Sequence, residues 1–132
     1  ESALITLPTN RPDKNKLIMD RAVVPFSEPP YLCGLPSPYY KESHLRFQKA
    51  CRAFVSEALL KNAVEWEGEE TVPENVYKQF ADANFLVPNL PAPLPVQWLK
   101  KIGIHEMPGG VKVEEWDYLH TAIYVDEVRA PR

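Results

Sequence analysis

Proline is the residue that most limits what this chain can fold into. Seven of its 14 prolines lie in the first 38 residues, at Pro8, Pro12, Pro25, Pro29, Pro30, Pro36 and Pro38. Each fixes φ and removes an amide donor, so residues 1–40 cannot form a long helix and read as an extended arm. Leu17, Ile18, Val23, Val24, Phe26, Tyr31, Leu32, Leu35 and Tyr39 give the arm more apolar surface than a disordered tail carries. It is therefore expected to lie along a surface, through Phe26, Tyr31, Leu32 and Tyr39 in particular. A second run, Pro88, Pro91, Pro93 and Pro95, reads as a rigid extended linker.

The helices must fit between these segments. From about Ser43 to Glu67 the chain predicts one long helix. Phe47, Cys51, Phe54, Val55, Ala58, Leu59 and Trp66 recur at three- and four-residue spacing, with Ala53, Leu60 and Val64 on the opposite side. Gly68 and Glu69-Glu70 mark its end. Thr71-Val72-Pro73-Glu74 opens a second helix, with an early proline and an acid in the first turn. Val76, Tyr77, Phe80, Ala81 and Ala83 are its apolar face, and it ends near Asn84. Pro95 starts a short helix, Val96 to Ile102, that Gly103 stops. Met107-Pro108-Gly109-Gly110 is a turn by composition.

The last helix is expected from about Glu114 to Arg129. Trp116, Leu119, His120, Ile123 and Glu127 share one face, while Tyr118, Ala122 and Val125 share the other. An element apolar on both sides needs cover on both sides. Arg132 follows within a few residues, so the domain reads as incomplete at that end. No strand-like alternation is strong enough to define a sheet. The fold class is all-α: three main helices, one short helix and the proline-rich arm, divided as residues 1–40 and 41–132.

Composition narrows the function. A net charge of −3 over 132 residues offers no basic surface for nucleic acid or an anionic membrane. No apolar run approaches the ~18 residues of a membrane span. There is no signal-peptide pattern, and Glu1 in place of Met suggests a processed or excised product. Cys33 and Cys51 are read as free thiols in a reducing, intracellular compartment. Mitochondrion, peroxisome and cytoplasm are not distinguished.

Few residues suggest chemistry. His120 and Glu127 share a helix face with Ile123 between them, and a carboxylate in an apolar setting can do acid–base work. A structural ion pair is the plainer reading of Glu127. His44 and His105 read as isolated, so no metal site is expected. Gly109-Gly110 lacks the lysine and hydroxyl of a phosphate loop. Trp66, Trp98 and Trp116 read as core. Tyr118, Ala122 and Val125 read as an interface. Arg46, Lys49 and Arg52 come early in the first helix and Glu65, Glu67, Glu69 and Glu70 late, which opposes the helix dipole.

The order of parts resembles the N-terminal domain of the acyl-CoA dehydrogenase family. A long helix precedes Thr71-Val72-Pro73-Glu74-Asn75-Val76-Tyr77. Phe80-Ala81-Asp82-Ala83-Asn84-Phe85-Leu86-Val87-Pro88 follows. Pro108-Gly109-Gly110 then precedes a helix bearing Asp126-Glu127-Val128. The likeness spans about residues 43–130, and the arm and Pro-Ala-Pro-Leu-Pro insertion are similar to those of fungal members. Two departures stand out: Asn84-Phe85 replaces the family's usual Gly, and residues 91–107 expand a short loop.

The resemblance implies a flavoprotein oxidoreductase of fatty acid metabolism. Its complete form has this helical domain, a middle β-domain and a C-terminal helical domain. FAD and the proton-abstracting glutamate would lie outside this chain, which would end before the β-domain. The chain alone would hold no catalytic or cofactor-binding residue and be inactive. Its part would be one wall of the acyl pocket and the subunit scaffold. Its partners would be the remaining domains or another copy of itself, with acyl-CoA bound only by the complete enzyme. The alternative is a free-standing helical interaction module, or an inactive truncated relative, that binds a protein partner.

Overall fold

The computed structural model describes residues 28–129. Phe26 and the other arm residues before Glu28 lie outside them. The described residues form five α-helices: α1 (Glu42–Ala58), α2 (Ala63–Glu69), α3 (Glu74–Asp82), α4 (Val96–Lys101) and α5 (Tyr118–Arg129). Short 3-10 turns cover Val87–Asn89 and Val113–Glu115. One two-stranded antiparallel ladder, β1 (Glu106–Met107) with β2 (Val111–Lys112), pairs Glu106 with Lys112 and Met107 with Val111. The fold is all-α, with helices more numerous and shorter than the sequence predicts.

The core lies on the seam between α1 and α5. Phe47, Cys51 and Val55, each four residues apart, are buried along α1. Ile123 and Tyr124 meet them from α5, with Phe85, Met107, Val111, Val113 and Trp116 closing the ends. The Phe47 ring stands edge-on to Trp116 at 4.8 Å. Phe54 stacks on Phe85 at 4.3 Å and meets Phe80 edge-on at 4.9 Å, which ties α3 to α1.

The long first helix breaks at Leu59–Asn62. Leu59 and Leu60 both donate their amides to the Val55 carbonyl, and Ala63 donates to the Leu59 carbonyl as α2 begins. The turn lets both leucines pack against the core, where a straight helix would send them in diverging directions. The predicted opposite patch is thereby split: Leu60 reaches the core, while Ala53 and Val64 are exposed among the described residues. α2 then buries none of its own residues. The break moves the charge anomaly onto α2, whose last turn and cap carry Glu67, Glu69 and Glu70 and no base.

Asn84 takes the left-handed conformation with φ 59°. Phe85 donates its amide to the Phe80 carbonyl at 2.8 Å, closing α3. Asparagine tolerates this geometry where glycine is the commoner choice, so the departure from the family pattern keeps the turn. The proline run is not the extended linker expected: Val87–Asn89 forms a 3-10 turn with Pro88 buried, and the chain bends at Ala92–Pro93, whose peptide is cis, while Ala92 and Leu94 are buried and Pro91, Pro93 and Pro95 face out. Gly109, at the tip of the hairpin, lies so close to α1 that an added Cβ would meet the Arg46 carbonyl oxygen at 2.7 Å. Close approach to α1, and not turn geometry alone, therefore requires glycine here, and Arg46 Nε donates to the Gly109 carbonyl at 3.3 Å.

The described part of the arm is not simply extended. Leu32, Cys33 and Leu35 fold back, their amides donating hydrogen bonds to the carbonyls of Pro29 and Pro30. Tyr31 stacks on Tyr40 at 3.8 Å and is half-buried, as is Leu32. Tyr39 is 71% exposed, so it is not one of the packing residues.

Candidate functional site

Two polar clusters lie along the α1–α5 seam, and outside them is the solvent face of α5. The first cluster forms where the two helices begin. At the start of α1, the Lys41 amide donates to His44 Nδ1 at 2.8 Å. His44 Nδ1 therefore carries no proton, and its Nε2–H donates to Asp117 Oδ1 at 2.9 Å. Asp117 caps α5: the same Oδ1 accepts the amides of Leu119 at 3.0 Å and His120 at 3.3 Å. His120 Nδ1 also lies 2.9 Å from that oxygen, and its ring is 4.0 Å from the His44 ring. Trp116 stacks on the other side of His120 at 5.0 Å.

His44 was expected to stand alone; the fold instead places it fully buried against His120, 76 positions along the chain. Sequence reasoning missed Asp117, which joins them. Its signal was local: an aspartate one residue before a helix, with the partner amides two and three residues on. The cap also corrects the start of the last helix, which begins at Tyr118 and not at Glu114.

His44, Asp117 and His120 bring three ligand-type atoms within 4.8 Å of one another. The hydrogen bonds argue against a metal centre. A neutral His44 that ligated through Nε2 would need its proton on Nδ1, where the Lys41 amide already points. The arrangement works as a clasp between two helix starts. It leaves one cost: His120 Nε2 is buried with no partner, whichever ring nitrogen carries the proton. Burial, then the adjacent His44, hold His120 below its ordinary pKa. Asp117 is also lowered. Burial pushes it up, but hydrogen bonds from His44 and from the His120 amide outweigh that effect.

The second cluster is centred on Glu127, 3% exposed. Gln48 Nε2 donates to its Oε1 at 2.8 Å. Arg52 donates to both oxygens, at 2.8 and 3.0 Å. The same guanidinium reaches Glu28 at 2.9 and 3.1 Å, tying the arm to both helices. The hydrogen bond to Glu127 holds the Arg52 pKa well above its usual range. Beside it, burial and the Glu127 charge push the Cys51 thiol up to about 12, so it is no nucleophile. His120 and Glu127 thus share a face but serve different clusters.

The remaining candidates disperse. His105 is exposed. Trp116 is core and donates Nε1–H to Thr121 at 3.2 Å, and Trp66 is half-buried. Trp98 is not core as expected: it is exposed, with Lys101 Nζ 4.9 Å from its ring centre. α4 is too short to bury two faces, and Leu99 takes the inner one. Tyr118, Ala122 and Val125 all lie on the solvent side of α5, Tyr118 69% and Val125 44% exposed. With Thr121, Asp126 and Arg129 they line a shallow depression. None of the described helices is long and apolar enough to cross a membrane.

The family model for the acyl-CoA dehydrogenase N-terminal domain matches residues 41–95. The acyl-CoA dehydrogenase apdG of Emericella nidulans is 71% identical over 105 residues, covering 80% of this chain and 24% of that protein. The acyl-CoA dehydrogenase AFT10-1 of Alternaria alternata is 30% identical over 109 residues, covering 81% of this chain and 24% of that protein. The chain thus spans about a quarter of the length of the curated relatives it matches. No solved structure matches it. By the ordered helices, the Pro-Gly-Gly hairpin and these likenesses, the chain belongs to the acyl-CoA dehydrogenase family and carries its helical N-terminal domain.

Proposed function

We propose that this chain is the N-terminal part of a flavin-dependent acyl-CoA dehydrogenase, where it forms one wall of the acyl pocket and part of the subunit scaffold. The observation that carries the reading is the α5 helix. Its inner face is locked to α1 by the two polar clusters, while Tyr118, Ala122 and Val125 on its outer face are exposed, with the arm reaching only the edge of the strip beside Ala122. A helix held this firmly from behind is suited to serve as a wall. The remaining domains, or another copy of the chain, would complete the outer side.

The described residues do not fit a flavin site. The two glycines of the hairpin are the best candidates for a phosphate cradle, but the space beside Gly109 is filled by the Arg46 carbonyl. Nor do the described residues offer a proton-abstracting base. Glu127 is held by Arg52 and Gln48, so its oxygens are committed to the scaffold. FAD and the base are accordingly assigned to other parts of the protein.

The test begins with the coding sequence beyond Arg132. The full-length protein is then purified and assayed for bound FAD and for acyl-CoA-dependent reduction of an artificial electron acceptor. The reading requires both, and requires that the 132-residue chain alone bind no flavin. A coding sequence that continues into no β-rich domain, or a stoichiometric yellow complex of the chain alone with FAD, would overturn it. The first outcome would favour an interaction module.

A further inference from the structure

α2 is a helix of seven residues that buries none of them, too short to persist on propensity alone. Beside it runs a groove floored by Leu59, Leu60, Trp66, Val72, Tyr77 and Val128. Val72 and Tyr77 are exposed large apolar side chains in it, and Val64 adds a third on the outer side of α2. The charged residues around it are mainly acidic. Residues 61–78 contain Glu65, Glu67, Glu69, Glu70 and Glu74 against Lys61 and Lys78 at the two ends, so the acids outnumber the bases. All five glutamates are exposed, and none has an ion-pair partner among the described residues. Glu67 and Glu70 line the groove itself.

An apolar floor beside a net acidic edge selects its occupant. An anionic lipid surface or a nucleic acid is repelled by the rim. A wholly apolar segment would leave the glutamates facing a dry edge. A helix with large apolar side chains on one face and lysines or arginines along its flanks satisfies both parts, with apolar anchors at three- and four-residue spacing in the groove. We infer that the groove between α2 and α3 docks a basic amphipathic helix of a partner protein. Docking would also give α2 the buried face it lacks. The inference is independent of the assignment of flavin chemistry and stands or fails separately from it.

The experiment uses the full-length protein and, as probe, a capped peptide of leucine and lysine in amphipathic helical register. Its control has glutamate in place of lysine. Calorimetry reports affinity, and methyl resonances of Leu59, Leu60, Val72 and Val128 report location. The lysine peptide should bind, shift those methyls and weaken as salt rises; the glutamate peptide should not bind. The combined E65Q, E67Q, E69Q and E70Q variant, changed only at exposed positions, should bind roughly tenfold more weakly. The V72E variant should lose binding while circular dichroism shows its helices intact. Should V72E fail to fold, the glutamine variant decides alone. The inference is overturned if the lysine peptide does not bind, including because the protein's own later residues fill the groove. It is overturned equally if the glutamine variant binds unchanged, or if the shifted methyls lie elsewhere.

Discussion

His44 Nε2 donates to Asp117 Oδ1 at 2.9 Å across 73 positions of sequence, joining the first turn of α1 to the cap of α5. The contact does two jobs with one carboxylate oxygen, since that oxygen also receives two amides of α5. Asp117→Ala should therefore cost more than an ordinary cap. Loss of the cap is worth about 1 kcal/mol, and a buried His44 N–H left unpaired about 1–3 kcal/mol more. Asp117→Asn keeps an acceptor and should cost less than half as much. Urea unfolding of the three proteins measures this. Equal loss in both variants would show that charge, and not the shared acceptor, matters.

The histidine clasp should make stability acid-sensitive in a definite order. Burial and the His44 ring hold His120 below its ordinary 6.5, so the unfolded chain takes up a proton first. The stability that neutral His120 supplies is complete above about pH 6.5 and is lost as pH falls through the folded pKa. Asp117, also lowered, keeps its contribution until pH falls below its ordinary 3.8. Unfolding midpoints measured from pH 8 downward should thus decline in two stages. His120→Phe should remove the upper stage alone; its survival in that variant would assign it to another group.

Gly109 offers a test that separates crowding from backbone strain. Gly109 and Gly110 both have positive φ, at 81° and 66°, but only Gly109 faces the Arg46 carbonyl, and Gly110 faces open space. Gly110→Ala should cost about 1 kcal/mol for the left-handed conformation. Gly109→Ala adds a clash with backbone that cannot yield, for about 1–3 kcal/mol beyond that. Thermal melts of the two variants decide it. Equal costs would mean that the hairpin tip lifts freely from α1.

How far the sequence foretold this fold depends on the range of the signal. The proline-started helices, the stop at Gly103 and the Pro-Gly-Gly turn are local and were legible. So was the sorting of α5 into an inner face with His120 and Glu127 and an outer face with Tyr118, Ala122 and Val125. The break at Leu59–Asn62 was not, because Leu59 and Leu60 satisfy a helical pattern and turn only to reach a shared core. The partnership of His44 with His120 was hidden for the same reason. Nothing in either segment announces the other, and only the packing of α1 on α5 brings them to 4.0 Å. Arg52 looked like a misplaced charge until Glu127 and Glu28 came within reach of it.

That guanidinium supports a further prediction. Arg52→Met strands Glu127 in the core with only Gln48 as donor. Removing one partner of a buried pair costs about 3–5 kcal/mol, with the low end apt here because Arg52 is partly exposed. Adding Glu127→Gln to the Met variant removes the stranded charge and should recover much of the loss. A double-mutant cycle in guanidinium chloride reads the coupling. Additive losses would mean that the two side chains do not stabilise each other. Arg52→Lys should fall between, since an ammonium cannot hold two carboxylates with paired donors.

The outer face of α5 yields the last prediction. Tyr118, Ala122 and Val125 fall at three- and four-residue spacing, so their side chains form one continuous strip beside the depression bounded by Asp126 and Arg129. A strip of roughly 300 Å² is large enough to act as an interaction surface. Covering it is worth roughly 7 kcal/mol at ~25 cal/mol per Å², comparable to the whole stability of a small domain. The isolated 132-residue chain should therefore self-associate with rising concentration, as sedimentation velocity will show. Ala122→Glu with Val125→Glu places two like charges on the strip and should give a monomer with unchanged helix content. The inner contacts of Ile123, Tyr124 and Glu127 are untouched by these changes, so loss of folding is not the expected route. A parent chain that stays monomeric at millimolar concentration and binds no hydrophobic dye would show that the strip is already covered. In that case α5 would not be a wall awaiting its second side, and the scaffold role would lose its physical basis.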